Sequence, residues 1–359
     1  MIEIDGSEGE GGGQVLRSAL TLSLLTRQPF RITAIRGRRK KPGLRAQHMA
    51  AVRAAREVGQ SKVDGCQPGS QELTFEPAGL NPGNYHIQIG TAGSSSLVLQ
   101  TILLPLAHAR APSSVVIVGG THVPWSPTFD YIQQVWMPAL KNLGYQAEII
   151  MKQAGYFPKG GGRIEAWVQP VGDQKAVEIL ERGPLTRVSG ISLSSNLPDH
   201  VAQRQRDQMI KRLDHLDLPA EIEVKRVPSP GVGSAVLVAG SDGAARFGFS
   251  ALGAKGKPAE RVADEALDQL LSFLNTNAAV DRYLADQLLI PLALAPGSSR
   301  LVIETGTTHF ATNAEIIGKF LDVDISIEET GKMGEALVSV EPRDTRSSTG
   351  RTSPGDERK

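Results

Sequence analysis

Residues 5 to 18, DGSEGEGGGQVLRS, set five glycines and two glutamates in front of an arginine. Bare backbone N–H groups and the positive end of a helix dipole can hold a phosphate at such a turn. Neither familiar phosphate template fits, however. The pattern G-x-G-x-x-G meets Gln14 where its third glycine should stand, and the Lys-Ser/Thr pair of a P-loop is replaced by Gly12 and Gly13. Glu8 and Glu10 flank Gly9; carboxylates there suit a Mg2+-type ion shared with a nucleotide, or simple solvation beside a helix N-terminus. A second anion-attracting run, RGRRKKPGLR, places Arg36, Arg38, Arg39, Lys40, Lys41 and Arg45 together with no acid among them. Its plainer reading is a solvated loop.

Four of the seven histidines stand in suggestive surroundings: His48 after the basic run, His122 in GGTHVPWSP, His200 in a charged segment, and His309 after ETGTT. Neutral imidazole attacks phosphorus near pH 7 because its nitrogen lone pair is free. His309 is the best placed, at a strand-to-helix turn like the glycine loop and GTAGSSS, and such turns converge if repeated units pack side by side. No serine and aspartate stand at triad spacing. Ser94 to Ser96 read as a helix N-cap before they read as an anion site.

These turns need elements to hold them. MIEID and FRITAI alternate like half-buried strands, whereas QVLRSALTLSLLTR and LRAQHMAAVRAAREV carry apolar residues at helical spacing. That puts the glycines between a strand and a helix, with Gln14 to Arg17 as its first turn. A similar order returns in YHIQIG, TAGSSSLVLQTILLPLAHA, SSVVIVGG, FDYIQQVWMPALKNLG and GRIEAWVQPV. It returns again in AAVDRYLADQLLIPLALA, RLVIETG, HFATNAEIIGKFL, DISIEE and EALVSVE. The expected fold is therefore α/β, built from three pseudo-repeats. Residues 183–277 break the rhythm and read as a small α/β domain inserted in the third repeat. The large domain would comprise 1–182 and 278–340, and the polar, aperiodic stretch 341–359 reads as a disordered tail.

With 359 residues the chain can bury sizeable cores, and its lone cysteine, Cys66, excludes internal disulfides and cysteine-based zinc clusters. No run approaches ~18 uninterrupted apolar residues, and MIEIDGSE lacks the character of a signal peptide. The expectation is a cytoplasmic protein with no membrane partner. A net charge of +1 argues against a wholly basic nucleic-acid coat.

The set DGSEGEGGGQVLRSAL, RGRRKKPGLRAQH, GTAGSSSLVLQ, GGTHVPWSP, GYFPKGGG, YLADQLLIPLALA and HFATNAEII resembles, in order and up to about Glu341, the RNA 3′-terminal phosphate cyclases. The resemblance implies four-stranded sheets with two helices in each repeat and a thioredoxin-like insert. It also implies an ATP-dependent enzyme that converts an RNA 3′-phosphate to a 2′,3′-cyclic phosphodiester through a histidine–AMP intermediate. On the matching positions His309 is the implied nucleophile, Arg17, Arg39, Gln47 and His48 bind phosphate and support activity, and Glu10 contacts a divalent metal, Mg2+ or Mn2+. Gln100, Pro127 and the segment Tyr283, Leu284, Ala285, Asp286 and Gln287 match the ATP site, with Tyr283 stacking on adenine. The implied partner is RNA with a 3′-phosphate end, with DNA ends and a homodimer left open. The rivals are a non-catalytic cyclase-like protein of ribosome assembly, which would lack the histidine, and an enolpyruvyl transferase, which shares a repeated α/β architecture.

Overall fold

A computed structural model of the chain describes residues 1–330 and 334–343. The first unit runs β1 (Ile2–Asp5), α1 (Gly13–Thr26), β2 (Phe30–Thr33), α2 (Ala46–Gly59), β3 (Lys62–Asp64) and β4 (Leu73–Glu76). β1 pairs parallel with β2, and β4 pairs antiparallel with both β2 and β3, which gives the order β1-β2-β4-β3. The second unit repeats this layout with β5 (Asn84–Gln88), α3 (Ser95–Ala107) and β6 (Ser113–Gly119). A helical segment follows, made of α4 (Phe129–Tyr131), a π-helical turn (Ile132–Trp136) and α5 (Met137–Asn142), before β7 (Ala147–Gln153) and β8 (Gly162–Val168) complete the order β5-β6-β8-β7. In SSVVIVG every second side chain is buried, the alternation that a sheet packed on one face requires.

The third unit opens with the two-residue strand β9 (Glu178–Ile179) and is then interrupted by β10 (Val188–Ser195), α6 (His200–Asp214), β11 (Ala220–Arg226), β12 (Gly233–Asp242), β13 (Ala245–Leu252) and α7 (Ala259–Leu274). It resumes with α8 (Arg282–Ala293), β14 (Ser299–Ile303), α9 (Thr308–Phe320), β15 (Val323–Glu329) and β16 (Ala336–Pro342), in the order β9-β14-β16-β15. The three units therefore share one topology. The interrupting segment has a different one, β11-β10-β12-β13 with α6 and α7, which is thioredoxin-like. It buries its own apolar cluster around Phe247, Phe249 and Phe273. Arg182 ties it to the chain that follows, donating to the carbonyls of Thr276 and Ala278 at 2.8 and 2.9 Å.

Several strands escape a periodicity reading. β3, β4, β7, β9, β10 and β13 lie in segments where short length or mixed polarity hides the period of two. β16 continues through Pro342, and Arg343 pairs with Asp322 and Asp324, so the ordered chain passes the expected boundary at 341. The rest of the expected tail, 344–359, lies outside the described residues. No helix of the described residues is long and apolar enough to cross a membrane.

α1 is the axle of the large core. Val15, Leu16, Ala19, Leu20, Leu22 and Leu24 are all buried, and the helix packs against α2, α3 and α9, one from its own unit and one from each of the others. Polar contacts from α1 and from the loop before it set the register against α9. Ser18 Oγ donates to Asn313 Oδ1 at 2.7 Å, and Glu10 N donates to Thr312 Oγ1 at 3.0 Å. Asn313 also donates to the Asp286 carbonyl at 3.0 Å, which draws α8 into the same contact. Asn313→Ala should leave these buried partners unmatched and destabilise the fold by about 1–3 kcal/mol, read as a lower urea midpoint at unchanged slope.

Candidate active site

The glycine loop owes its shape to its composition. Gly9 and Gly11 have φ of +56° and +59°, a region that costs other residues strain. Gly12 and Gly13 are glycines for space: a Cβ would fall 2.0 Å from a Glu10 carboxylate oxygen in one case and 2.4 Å from His48 Nε2 in the other. α1 then starts with no side-chain cap, so its first N–H groups remain available to a ligand. The loop opens into a cleft of about 1410 Å³ lined by residues of all three units and of the inserted segment.

His309 is the second residue of α9, whose N-cap Thr307 accepts from Phe310 N at 2.9 Å. Its Nδ1 donates to Gln14 Oε1, which leaves the Nε2 lone pair free. Burial, then Arg17 and Arg39, hold the imidazole below its ordinary pKa, so it is neutral at pH 7. Arg17, one helical turn after Gln14, is partly buried in the cleft; desolvation pushes it down to about 10, so it stays a cation. No carboxylate offsets that charge among the described residues. A desolvated cation of this kind favours an anion in the cleft.

His48 plays a different part from a cationic phosphate ligand. Burial, then Arg17, Arg36 and Arg45, push it down to about 3. The Arg45 N–H donates to its Nδ1 at 3.2 Å, so the proton sits on Nε2, beside Gly13 and Arg17, as a neutral donor. Gln47 Oε1 accepts from Ser94 N at 2.6 Å and so ties the turn before α3 to α2. Arg36 folds the basic run back on itself through the carbonyls of Lys41 and Gly43 at 2.9 Å each, which brings Arg39 to the cleft.

Glu10 is ion-paired with Arg39 and lies 3.9 Å from His309 Nδ1. No cluster of three or more His, Cys, Asp or Glu side chains suited to a metal occurs among the described residues. One carboxylate is too little for a resident ion. It suits an ion already held by phosphate oxygens, whose shell Glu10 would complete.

At the other end of the cleft α8 presents Tyr283, Asp286, Gln287 and Ile290, which share one helical face. Leu284 and Ala285, also within the expected segment 283–287, point to the core at 1 % exposure and do not line the cleft. Gln100 Nε2 donates to Gln287 Oε1, and Pro127 also lines the cleft. Burial raises Asp286 to about 7, opposed by the Thr307 hydroxyl donating at 2.8 Å. Of the remaining candidates His122 also lines the cleft, whereas His200, Glu8 and Ser94 do not. His122 has both ring nitrogens engaged, with Thr121 Oγ1 at 2.8 Å and Asp130 Oδ2 at 2.7 Å, so it has no free lone pair. His200 is exposed at the start of α6, Glu8 is exposed on the loop, and Ser94 caps α3 by accepting from Leu97 N. Gln14 and Thr307, which hydrogen-bond His309 and Asp286, are positions that a reading by residue type passes over. Their signal was only that each stands at the first turn of a helix beside a chemical candidate.

The fold and cleft define a repeat-built α/β protein whose cleft brings together a neutral histidine and a desolvated arginine with no carboxylate partner among the described residues. The sequence model of the family described as RNA 3'-terminal phosphate cyclase matches residues 8–327, and the chain belongs to that family. A protein named RNA 3'-terminal phosphate cyclase from Pyrobaculum aerophilum is 42 % identical over 342 residues, 95 % of this chain and 98 % of its own. Proteins of the same name from Ralstonia nicotianae and Pyrococcus furiosus are 42 % and 41 % identical, covering 91 % and 94 % of this chain and 93 % and 98 % of theirs. Among solved structures, the enolpyruvyl transferase NikO from Streptomyces tendae aligns over 59 % of this chain and 38 % of its own at 16 % identity and a TM-score of 0.28, too distant to bear on fold or function.

The electrostatics of His309 can be read directly. In an NMR titration its pKa should lie below the ordinary 6.5. Arg17→Gln should raise it toward that value, because a cation opposing the imidazolium is gone while burial remains. A wild-type value at or above 6.5 would contradict this account of the site.

Proposed function

We propose that this chain uses ATP to convert the 3′-terminal phosphate of an RNA into a 2′,3′-cyclic phosphodiester, with AMP carried on His309. The family and the names of its relatives support the reaction. The observation that carries the mechanism is the free Nε2 of His309 in one cleft with the uncompensated Arg17.

In this reading Nε2 attacks the α-phosphorus of ATP, a P–N bond forms, and the P–O bond to pyrophosphate breaks. The imidazole gains positive charge, which Gln14 Oε1 and the Glu10 carboxylate are placed to stabilise. Arg17, Arg39 and the His48 Nε2–H offset charge on the phosphate oxygens. Gln47 is a positioning residue, through its bond to Ser94 N. Tyr283 and Pro127 would take the adenine faces, Asp286 the polar atoms of the nucleoside, and Gln100 and Gln287 the rim beside them. Leu284 and Ala285 contribute to this end only as part of the helix that presents Tyr283 and Asp286. A divalent ion, Mg2+ or Mn2+, would add charge neutralisation at the phosphates with Glu10 as its protein ligand.

An oxygen of the RNA 3′-phosphate then attacks the phosphorus on His309; the P–N bond breaks and neutral imidazole is restored. The 2′-OH, held close by its own ribose, attacks the activated 3′-phosphorus, loses its proton and expels AMP. In the same reading 1–182 and 278–340 form the catalytic body and 183–277 a small inserted domain.

Incubation with ATP labelled at the α-phosphate should place an acid-labile label on the protein, absent from His309→Ala and formed on the order of 100- to 1000-fold more slowly in Arg17→Ala. No label on a folded, ATP-binding protein would sink the mechanism. A DNA with a 3′-phosphate should accept AMP but remain uncyclised, since it has no 2′-OH.

A further inference from the structure

The mouth of the cleft exposes apolar surface that the phosphate chemistry leaves unused. Trp125 is 99 % exposed, Phe157 71 % and Val232 60 %, and all three line the same cleft as His309 and Arg17. They come from three separate loops gathered around one buried ring. Tyr156 packs on His122 with ring centroids 5.6 Å apart, and Trp125 follows His122 by three residues. A Cβ on Gly233 would fall within 2.3 Å of the Tyr156 ring, so Phe157 and Val232 each sit one residue from a second close contact. Trp125 has φ of +64°, a conformation rare for a bulky side chain, and the turn holds its ring in solvent. Large aromatic surface is seldom left this exposed without a partner.

Two cations flank the patch. Lys255 lines the cleft, and Lys159 lies against Gly231; both are exposed, and neither pairs with a carboxylate among the described residues. Open aromatic faces beside free cations match single-stranded nucleic acid, in which bases stack while the backbone carries negative charge. A strand whose 3′-phosphate lies by Arg17 and His309 must leave through the open mouth of the cleft.

We propose that the bases next to the RNA 3′ end stack on Trp125 and Phe157, with Lys159 and Lys255 facing the backbone. This rests on the RNA-end reading above and names the part of the molecule that grips the strand. Stacking tolerates every base, so the grip is indifferent to sequence and weakens with salt.

The test measures binding of a labelled, 3′-phosphorylated RNA decamer by fluorescence anisotropy, alongside labelling of the protein by ATP. Trp125→Ala and Phe157→Ala, both at exposed positions, should each weaken decamer binding by roughly 5- to 100-fold. Trp125→Tyr should recover most of the loss. Replacing the second and third bases from the 3′ end by abasic sites should weaken wild-type binding similarly and make the alanine variants no worse. Labelling by ATP should be unchanged in every variant. Binding indifferent to both substitutions, equal losses with intact and abasic RNA, or a matching loss of ATP labelling would overturn the proposal, the last by assigning the rim to adenine. A wild-type protein that grips the decamer through the rim yet takes no label refutes the histidine–AMP step alone. One that takes label but binds regardless of the rim refutes the stacking alone.

Discussion

The contact between α1 and α9 is the constraint from which the cleft follows. It joins residues almost three hundred positions apart, and its bonds are specific: Ser18 to Asn313, Glu10 N to Thr312, and Gln14 to His309. Hydrophobic burial of α1 supplies the attraction but is indifferent to register. The polar pairs choose one register because a slip would bury unmatched groups. That choice also decides which histidine nitrogen is free. A change as small as a Cβ on Gly9, which would fall 2.1 Å from Thr312 Oγ1, acts on the chemistry through this contact.

The cleft is tuned by charges left uncompensated. Arg17 is desolvated without an acid, whereas the nearby Glu10 is shared between Arg39 and the neighbourhood of His309. His48 and His309 are both held neutral, and hydrogen bonds give them opposite tautomers. His48 carries its proton on Nε2, beside Arg17, and His309 carries its proton on Nδ1, toward Gln14. One residue type thus yields a donor and a lone pair within one site, because the backbone N–H of Arg45 and the side-chain Oε1 of Gln14 occupy the other nitrogens.

Much of the architecture was legible as pattern. The long helices α1, α2, α3 and α9 and the regular strands β6 and β14 follow their periods closely. β9, with two residues, exists only because β14 offers an edge to pair with, and β10 is buried at almost every position, so neither shows alternation. In α8 a motif read as a continuous string splits into two faces, since successive residues on a helix are 100° apart. Tyr283 and Asp286 reach the cleft while Leu284 and Ala285 fill the core.

By itself the sequence determined which residues could act: a glycine loop that only glycines could form, an arginine one turn into a helix, a run of cations, and a histidine at a helix start. These are local properties, set by backbone freedom, charge and the period of a helix. Only the tertiary structure decided which of them meet, which proton each histidine holds, that His122 is spent on Asp130, and that three exposed apolar side chains share the mouth of the same cleft. Those outcomes depend on contacts between distant segments, and desolvation and hydrogen-bond partners take effect only once the chain has brought the segments together.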